Sequence, residues 1–207
     1  MTGKRFEPIV FERITPKQQR SRNTRQVIFE AAARIIENQG AHALSTNAIA
    51  ARAGISIGTL YGHFTSKEAI LVSMARSQLE RDGATVLQAV REEVKPGASR
   101  ARSAVRALIG LHQTRPEVRR VVMKAHAAHG LGAERAALVS SVAKQIWTTR
   151  TSTGCPLVRE AVLFVATRAV TGIVRAAFEE ASPLLGTPEF ENELTEMIES
   201  KVALVRG

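Results

Sequence analysis

The residues with the most specific chemistry lie in one run, LSTNAIAARAGISIGTLYGHF, from Leu44 to Phe64. Ser45 and Ser56 each precede a short apolar-periodic stretch, where a side-chain oxygen can accept from an unpaired backbone N–H three residues on. Ala50 is small enough for two helix backbones to approach, and Gly54 turns the chain without a Cβ penalty. Ile49, Ile55, Leu60 and Phe64 can then close a small core. This leaves Ile57, Thr59, Tyr61, Gly62 and His63 for the outer face or rim of the second short helix. A purely solvated face carries Glu and Lys instead. A methyl group, hydroxyls and an imidazole suit a helix that enters the major groove of DNA and meets bases or phosphates. Tyr61 has a plainer alternative, packing on the preceding helix with its hydroxyl in water.

Other constellations are weaker. His126 and His129 are three apart and can share a helical face. A third metal ligand would have to come from His112, Glu117 or Cys155, and the plainer reading is a pair of polar or pocket histidines. Gly130-Leu131-Gly132 resembles a fragment of a nucleotide loop, but no strand precedes it and the third glycine is missing. Ser140, Ser141 and Cys155 have no evident base to activate them, so nucleophilic catalysis has no support. The chain is therefore expected not to be an enzyme and to use no cofactor and no metal.

These residues need helices to hold them. Ile28, Ala31, Ala32, Ile35 and Ile36 recur three and four apart, so a helix is expected from about Asn23 or Thr24, either of which could cap it, to Gly40. Short helices follow after Ser45 and after Ser56, the latter running to about Phe64. Thr65 and Glu68 have capping-box spacing for a fourth helix reaching about Glu93, before Lys95-Pro96-Gly97. Beyond it the spacing predicts helices over Ala98–Gln113, Pro116–His129, Ala133–Thr151, Pro156–Glu180 and Pro188–Val205. Pro116, Pro156 and Pro188 sit at first-turn positions, where proline is tolerated. No run alternates over strand length. The fold class is all-α with about nine helices. The organisation expected is an N-terminal extension over 1–20, a three-helix helix-turn-helix head over 21–67 and a helical domain over 68–207.

Composition agrees with a soluble helical protein. Aromatics are only 4% of the 207 residues and a single cysteine excludes an internal disulfide, which suits a reducing cytoplasm. The N-terminal residues lack the apolar core of a secretory signal. The longest apolar stretch, Ala161–Ala177, is interrupted by Arg168 and Arg175, so no membrane span is expected. Net charge is +10. Residues 1–67 carry ten Lys/Arg against four Glu, a balance of +6, so a third of the chain holds more than half of the excess. That asymmetry suits a polyanionic partner. Lys17, Arg20, Arg22 and Arg25 form a basic arm that either stays a charged tail or reaches into the minor groove.

STNAIAARAGISIGTLYGHFTSKEAIL closely resembles the signature of the TetR family of transcriptional regulators, over about Arg22–Leu71. The resemblance lies in the Ile-Ala pair, the Ala-Gly-Ile-Ser turn, the Gly-Thr-Leu-Tyr helix and the His-Phe-Thr-Ser-Lys-Glu exit. It implies an all-helical dimer with a small DNA-binding head and a larger domain for ligand binding and dimerisation. It also implies roles. Thr46 would touch phosphate, and Asn47 a base or the backbone. Ile57, Gly58, Thr59 and Gly62 would face the groove, with Ser56 at their cap in the same DNA-binding set. Tyr61 and His63 would bond phosphates, and Lys67 would pin the neighbouring backbone. Gly62 departs from a pattern that often has a larger side chain there, which reduces direct base reading.

Two helical stretches can extend across a dimer: Ala161, Val165, Ala169 and Gly172, joined by Val162, Ile173, Ala176 and Ala177, then Leu194, Met197, Ile198, Val202, Leu204 and Val205. The alternative is that both pack within one chain. One short recognition helix reads too few bases, so a homodimer on a palindromic double-stranded operator is expected. The family resemblance further implies a cavity for a small apolar effector, lined by Met123, Trp147 and Phe164, with His126 or His129 as polar handles. Residues of each of these types are more often ordinary core than pocket lining. A ligand-released repressor is the leading expectation. A ligand-independent activator or global regulator, or a helical interaction module or enzyme with a degenerate head, are the alternatives.

Overall fold

Prolines and hydroxyl caps set the helix starts in the computed structural model, which describes residues 16–92, 99–147 and 156–206. In chain order the helices are α1 (Pro16–Gln39), α2 (Thr46–Ala53), α3 (Ile57–Tyr61), α4 (Lys67–Glu92), α5 (Arg100–Gln113), α6 (Pro116–Ala128), α7 (Gly132–Trp147), α8 (Pro156–Glu179) and α9 (Pro188–Arg206). A 3₁₀ turn, Ala41–Ala43, follows α1. Among the described residues the architecture is all-α, as the periodicity predicts.

Two helix starts in the N-terminal half differ from the sequence expectation. The first helix starts at Pro16, not near Asn23 or Thr24. Both of those are interior: the Gln19 amide donates to Asn23 Oδ1, and Thr24 Oγ1 donates to the Arg20 carbonyl. Pro16 needs no N–H partner at a first-turn position, and the polar stretch after it has no apolar period to betray a helix. The second shift is at α4, where Ser66 and not Thr65 is the cap, accepting from Ala69 N–H at 3.1 Å. The proposed basic arm is accordingly helical from residue 16. Residues 1–15 lie outside the described set, as do Lys95-Pro96-Gly97, Gly154 and Cys155.

The head core forms where α1 lies across α2 and α3. Ile28, Ile49 and Leu60 are fully buried, and Phe29, Ala32, Ile36, Leu44 and Phe64 surround them. Phe29 and Phe64 rings meet at 5.8 Å between centroids. Truncating any of the three central side chains to alanine would cost about 2–5 kcal/mol. This core does not stop at the head. It continues through Ile70, Met74 and Ala75 of α4 into Val118 and Val122 of α6 and Leu131.

Beyond it, α5, α8 and α9 share a second core of Ala101, Val105, Ile109, Val170, Val174, Leu194 and Ile198. Leu194 and Ile198 of α9 thus pack within their own chain, the alternative to a role across a dimer. The side chains of Val202, Leu204 and Val205 are outside the described set. Helix α4 approaches α7 closely at Gly83, where an added Cβ would lie 3.2 Å from both Leu138 and Val142. Glu160–Glu179 is long and apolar enough to cross a membrane by length and composition alone. In this fold it carries buried Val170, Val174, Ala177 and Phe178 against neighbouring helices.

Candidate nucleic-acid interface and cavity

Local hydrogen bonds build the helix-turn-helix. Ser45 Oγ accepts from Ala48 N–H at 3.1 Å, and Ser56 Oγ from Thr59 N–H at 3.0 Å. Between them Gly54 is left-handed, φ 67° and ψ 30°, and its N–H bonds back to α2. The next N–H, of Ile55, reaches the Ala50 carbonyl at 3.1 Å, so the small Ala50 and the turn act together. Helix α3 ends one turn earlier than expected. Tyr61 is its last residue, and His63 and Phe64 both donate to the Leu60 carbonyl in the turn that follows.

Burying Leu60 leaves the opposite face of α3 in solvent. Ile57 is 39% exposed and Tyr61 53%, unusual for large apolar and aromatic side chains on so small a helix. Gly58, Thr59 and Gly62 are exposed beside them. Ser56 and Thr59 hydroxyls lie 2.8 Å apart, and the Tyr61 hydroxyl lies 3.3 Å from Thr46 Oγ1. Tyr61 therefore joins the start of α2 to the end of α3, with Asn47 exposed next to Thr46. His63 and Lys67 are half-buried at the rim, His63 with its ring 6.5 Å from Phe64. The ten positions singled out from the sequence lie on α2, on α3 with its cap and the turn after it, and at the first residue of α4.

The basic residues divide. Arg20 and Arg22 are exposed on the first turns of α1. Arg25 is structural: its guanidinium lies 5.4 Å from the Phe64 ring centroid and donates to Ser73 Oγ of α4 at 3.1 Å. It is not part of a free arm.

A cavity of about 530 Å³ lies between α4, α5, α6, α7 and α8. Met123 and His126 line it. Phe164 does not: it is 58% exposed on the outer side of α8, with the Arg168 guanidinium 5.2 Å from its ring centroid. Apolar residues occur on both sides of α8, so spacing alone misassigned it. The Trp147 side chain is outside the described set. His126 and His129 do not converge; His129 is exposed at the end of α6, while His126 Nε2 is buried without a partner among the described residues. His112 Nδ1 bonds the Leu108 carbonyl and Glu117 pairs with Arg120. Among the described residues no group of three His, Cys, Asp or Glu is placed to hold a metal ion.

Sequence reasoning missed the polar residues that join cavity and head. Arg119 is buried and forms a two-pronged pair with Asp82 of α4, at 2.7 and 3.0 Å. Arg115, at the start of α6, grips Glu30 and Glu37 of α1 with distances of 2.6 to 3.3 Å. Those contacts hold both carboxyls below their ordinary range and push the guanidinium further up. A signal existed for Arg119, as it did for the already named His126. They share a helical face with Val122 and Met123, so two polar residues interrupt an apolar stripe.

Comparison with known proteins fits this geometry. Residues 28–74 match the model of bacterial regulatory proteins of the tetR family. Residues 96–200, half of the chain, match the tetracyclin repressor-like C-terminal domain. The HTH-type transcriptional regulator UidR of Escherichia coli K12 is 41% identical over 64 residues, which cover 31% of this chain and 33% of that protein. The match thus spans about a third of its curated relative. Among solved structures, the multidrug binding protein EbrR in complex with imidazole aligns at TM-score 0.60 and 21% identity, over 86% of this chain and 93% of that one. A TetR-family regulator from Mesorhizobium loti aligns at TM-score 0.64 and 20% identity, over 91% and 99%. At that identity the likeness concerns the fold. With both halves matched by family models, the chain belongs to the TetR family of DNA-binding transcriptional regulators.

Proposed function

We propose that this regulator is a cytoplasmic repressor that binds a palindromic operator as a homodimer and is released when a small molecule fills the cavity. The observation that carries the reading is the coupling of two surfaces by one helix. Helix α6 lines the cavity with Arg119, Val122, Met123 and His126, and Arg115, the residue that caps its start, bonds Glu30 and Glu37 of α1. A ligand that changes the seat of α6 therefore acts on the head directly.

In this reading Ile57, Gly58, Thr59 and Gly62 face the major groove, with Ser56 holding the cap. Thr46, Asn47, Tyr61, His63 and Lys67 meet the backbone and set register. The exposure of Ile57 and Tyr61 supports this, because a solvated helix gains nothing from them. The functional division follows as a head over 21–67 and a ligand and dimer domain over 68–207, joined by continuous core. EbrR, a fold relative, is described as a multidrug binding protein. A ligand acts as inducer only if it favours the head spacing that does not fit DNA, since equal affinity for both states shifts nothing.

Selection of bound fragments from random DNA by the full-length protein tests the first half. A two-fold symmetric site, with half-sites about one helical turn apart, is expected. Absence of any enriched sequence would overturn the operator reading. Placing that site between a promoter and a reporter then separates repression from activation.

A further inference from the structure

The walls of the cavity carry charges that cancel in pairs, except one. Asp82 neutralises Arg119 through two hydrogen bonds, and Glu179 neutralises Arg175 at 3.6 Å. Arg135, near the start of α7, has no acceptor for its guanidinium among the described residues. It is half-buried; desolvation, and then Arg175 and Arg168 of α8, disfavour its charge, and Glu179 offsets part of this. Arg168 does not compete for a ligand in the cavity: it donates to the Ala136 carbonyl and to Ser140 Oγ. His126, which also lines the cavity, has its Nε2 buried with no partner among the described residues. Burial, then Arg135 and Arg175, hold its imidazole below the ordinary histidine range against a smaller opposing pull from Glu134. The rest of the lining is largely aliphatic, including Leu79, Val86, Leu138 and Val142.

We propose that the cavity takes an amphipathic organic anion, its acidic head on Arg135 and His126 and its apolar body among the aliphatic side chains. The inference rests on the ligand-responsive reading above and names the class of ligand. Its physical basis is desolvation. A half-buried guanidinium without a directly bonded carboxylate is held at a cost that an incoming carboxylate removes, and the planar fork binds such a group with two parallel hydrogen bonds. A ligand cation would meet Arg135 and Arg175 in the lining, where both carboxylates, Asp82 and Glu179, are already paired. A neutral ligand would gain only from apolar burial.

Three probes of one chain length separate these cases: decanoate, decanol and decyltrimethylammonium, titrated calorimetrically into the full-length protein. Decanoate is expected to bind at least tenfold more tightly than decanol, and the cation weakest. Arg135→Gln is expected to lower decanoate affinity at least tenfold and leave decanol unchanged, with Arg135→Lys restoring part of the loss. The unliganded Arg135→Gln protein should melt no lower than wild type, because the substitution removes an uncompensated charge. A fall in melting temperature would instead assign Arg135 to folding and overturn the proposal. Equal binding of decanoate and decanol, or undiminished decanoate binding by Arg135→Gln, overturns the anion while leaving the ligand-responsive reading intact. Binding of none of the three probes overturns both.

Discussion

At Gly58 the fold and the proposed function make separable demands. A Cβ built there meets only Ser56 Oγ, at 3.7 Å, so the chain itself has room for a side chain. A helix position without Cβ also costs roughly 0.5–1 kcal/mol relative to alanine. Gly58→Leu should therefore leave thermal stability within about 1 kcal/mol of wild type. If α3 lies in the major groove with Gly58 inward, the same leucine meets base edges, and operator affinity falls at least tenfold, about 1.4 kcal/mol. Calorimetric melting beside a fluorescence-anisotropy titration reads both numbers. Unchanged DNA affinity would remove Gly58 from the interface. Ser56 answers differently, since its hydroxyl caps α3. Ser56→Ala should cost about 1 kcal/mol of stability and weaken DNA binding through loss of helix order.

At the scale of elements, the junction between α6 and α1 is held by Arg115. The proline that follows disfavours the right-handed helical region for this residue, and it adopts φ 50°, ψ 57°. Such a conformation costs a non-glycine residue on the order of 1 kcal/mol, which the bonds to Glu30 and Glu37 offset. The three side chains are one-third to two-fifths exposed, so solvent screens the pairs and their joint contribution is about 1–2 kcal/mol. Arg115→Ala should destabilise by that amount at neutral pH. The pH dependence has a fixed sign. Both glutamates have folded-state values depressed below the ordinary 4.5, so their contribution is complete above it and is lost as pH falls through the lowered values. The stability difference between wild type and Arg115→Ala should therefore close as urea denaturation is repeated at progressively more acid pH below 4.5. A constant difference would mean that the carboxyls do not titrate with the pair.

What was legible in the sequence follows from the range of each interaction. The caps at Ser45 and Ser56 act over three residues, so spacing alone located α2 and α3. The start of α1 was misplaced because its first turns are polar on every face. The grip of Arg115 on Glu30 spans 85 residues, and no local pattern announces it. Phe164 and Leu194 show the same limit from the apolar side: periodicity marks a face but not what covers it. One faces outward and the other packs against α5 and α8.

For the whole molecule, that outward face of α8 is the element left to explain. Leu157, Val158, Phe164, Val165 and Ile173 are all at least 39% exposed, on a helix whose other side is fully engaged. Burying each such side chain is worth roughly 1.5–3 kcal/mol, so a single chain in water forgoes a large stabilisation. A second copy related by a two-fold axis would cover the stripe with itself and set two α3 helices on successive major grooves, about 34–36 Å apart. Val165 lies on this stripe and is not one of the residues that line the cavity. Val165→Glu would bring like charges together across the axis while leaving the single chain little disturbed. Sedimentation at micromolar concentration should show a dimer for wild type and a monomer for the variant, with equal helicity by circular dichroism. Operator affinity should fall at least a hundredfold. Because half of the phosphate contacts would be lost, the slope of log affinity against log salt should fall by about half. A variant that stays dimeric would place the interface elsewhere. A monomer that binds the operator undiminished would show that one head suffices.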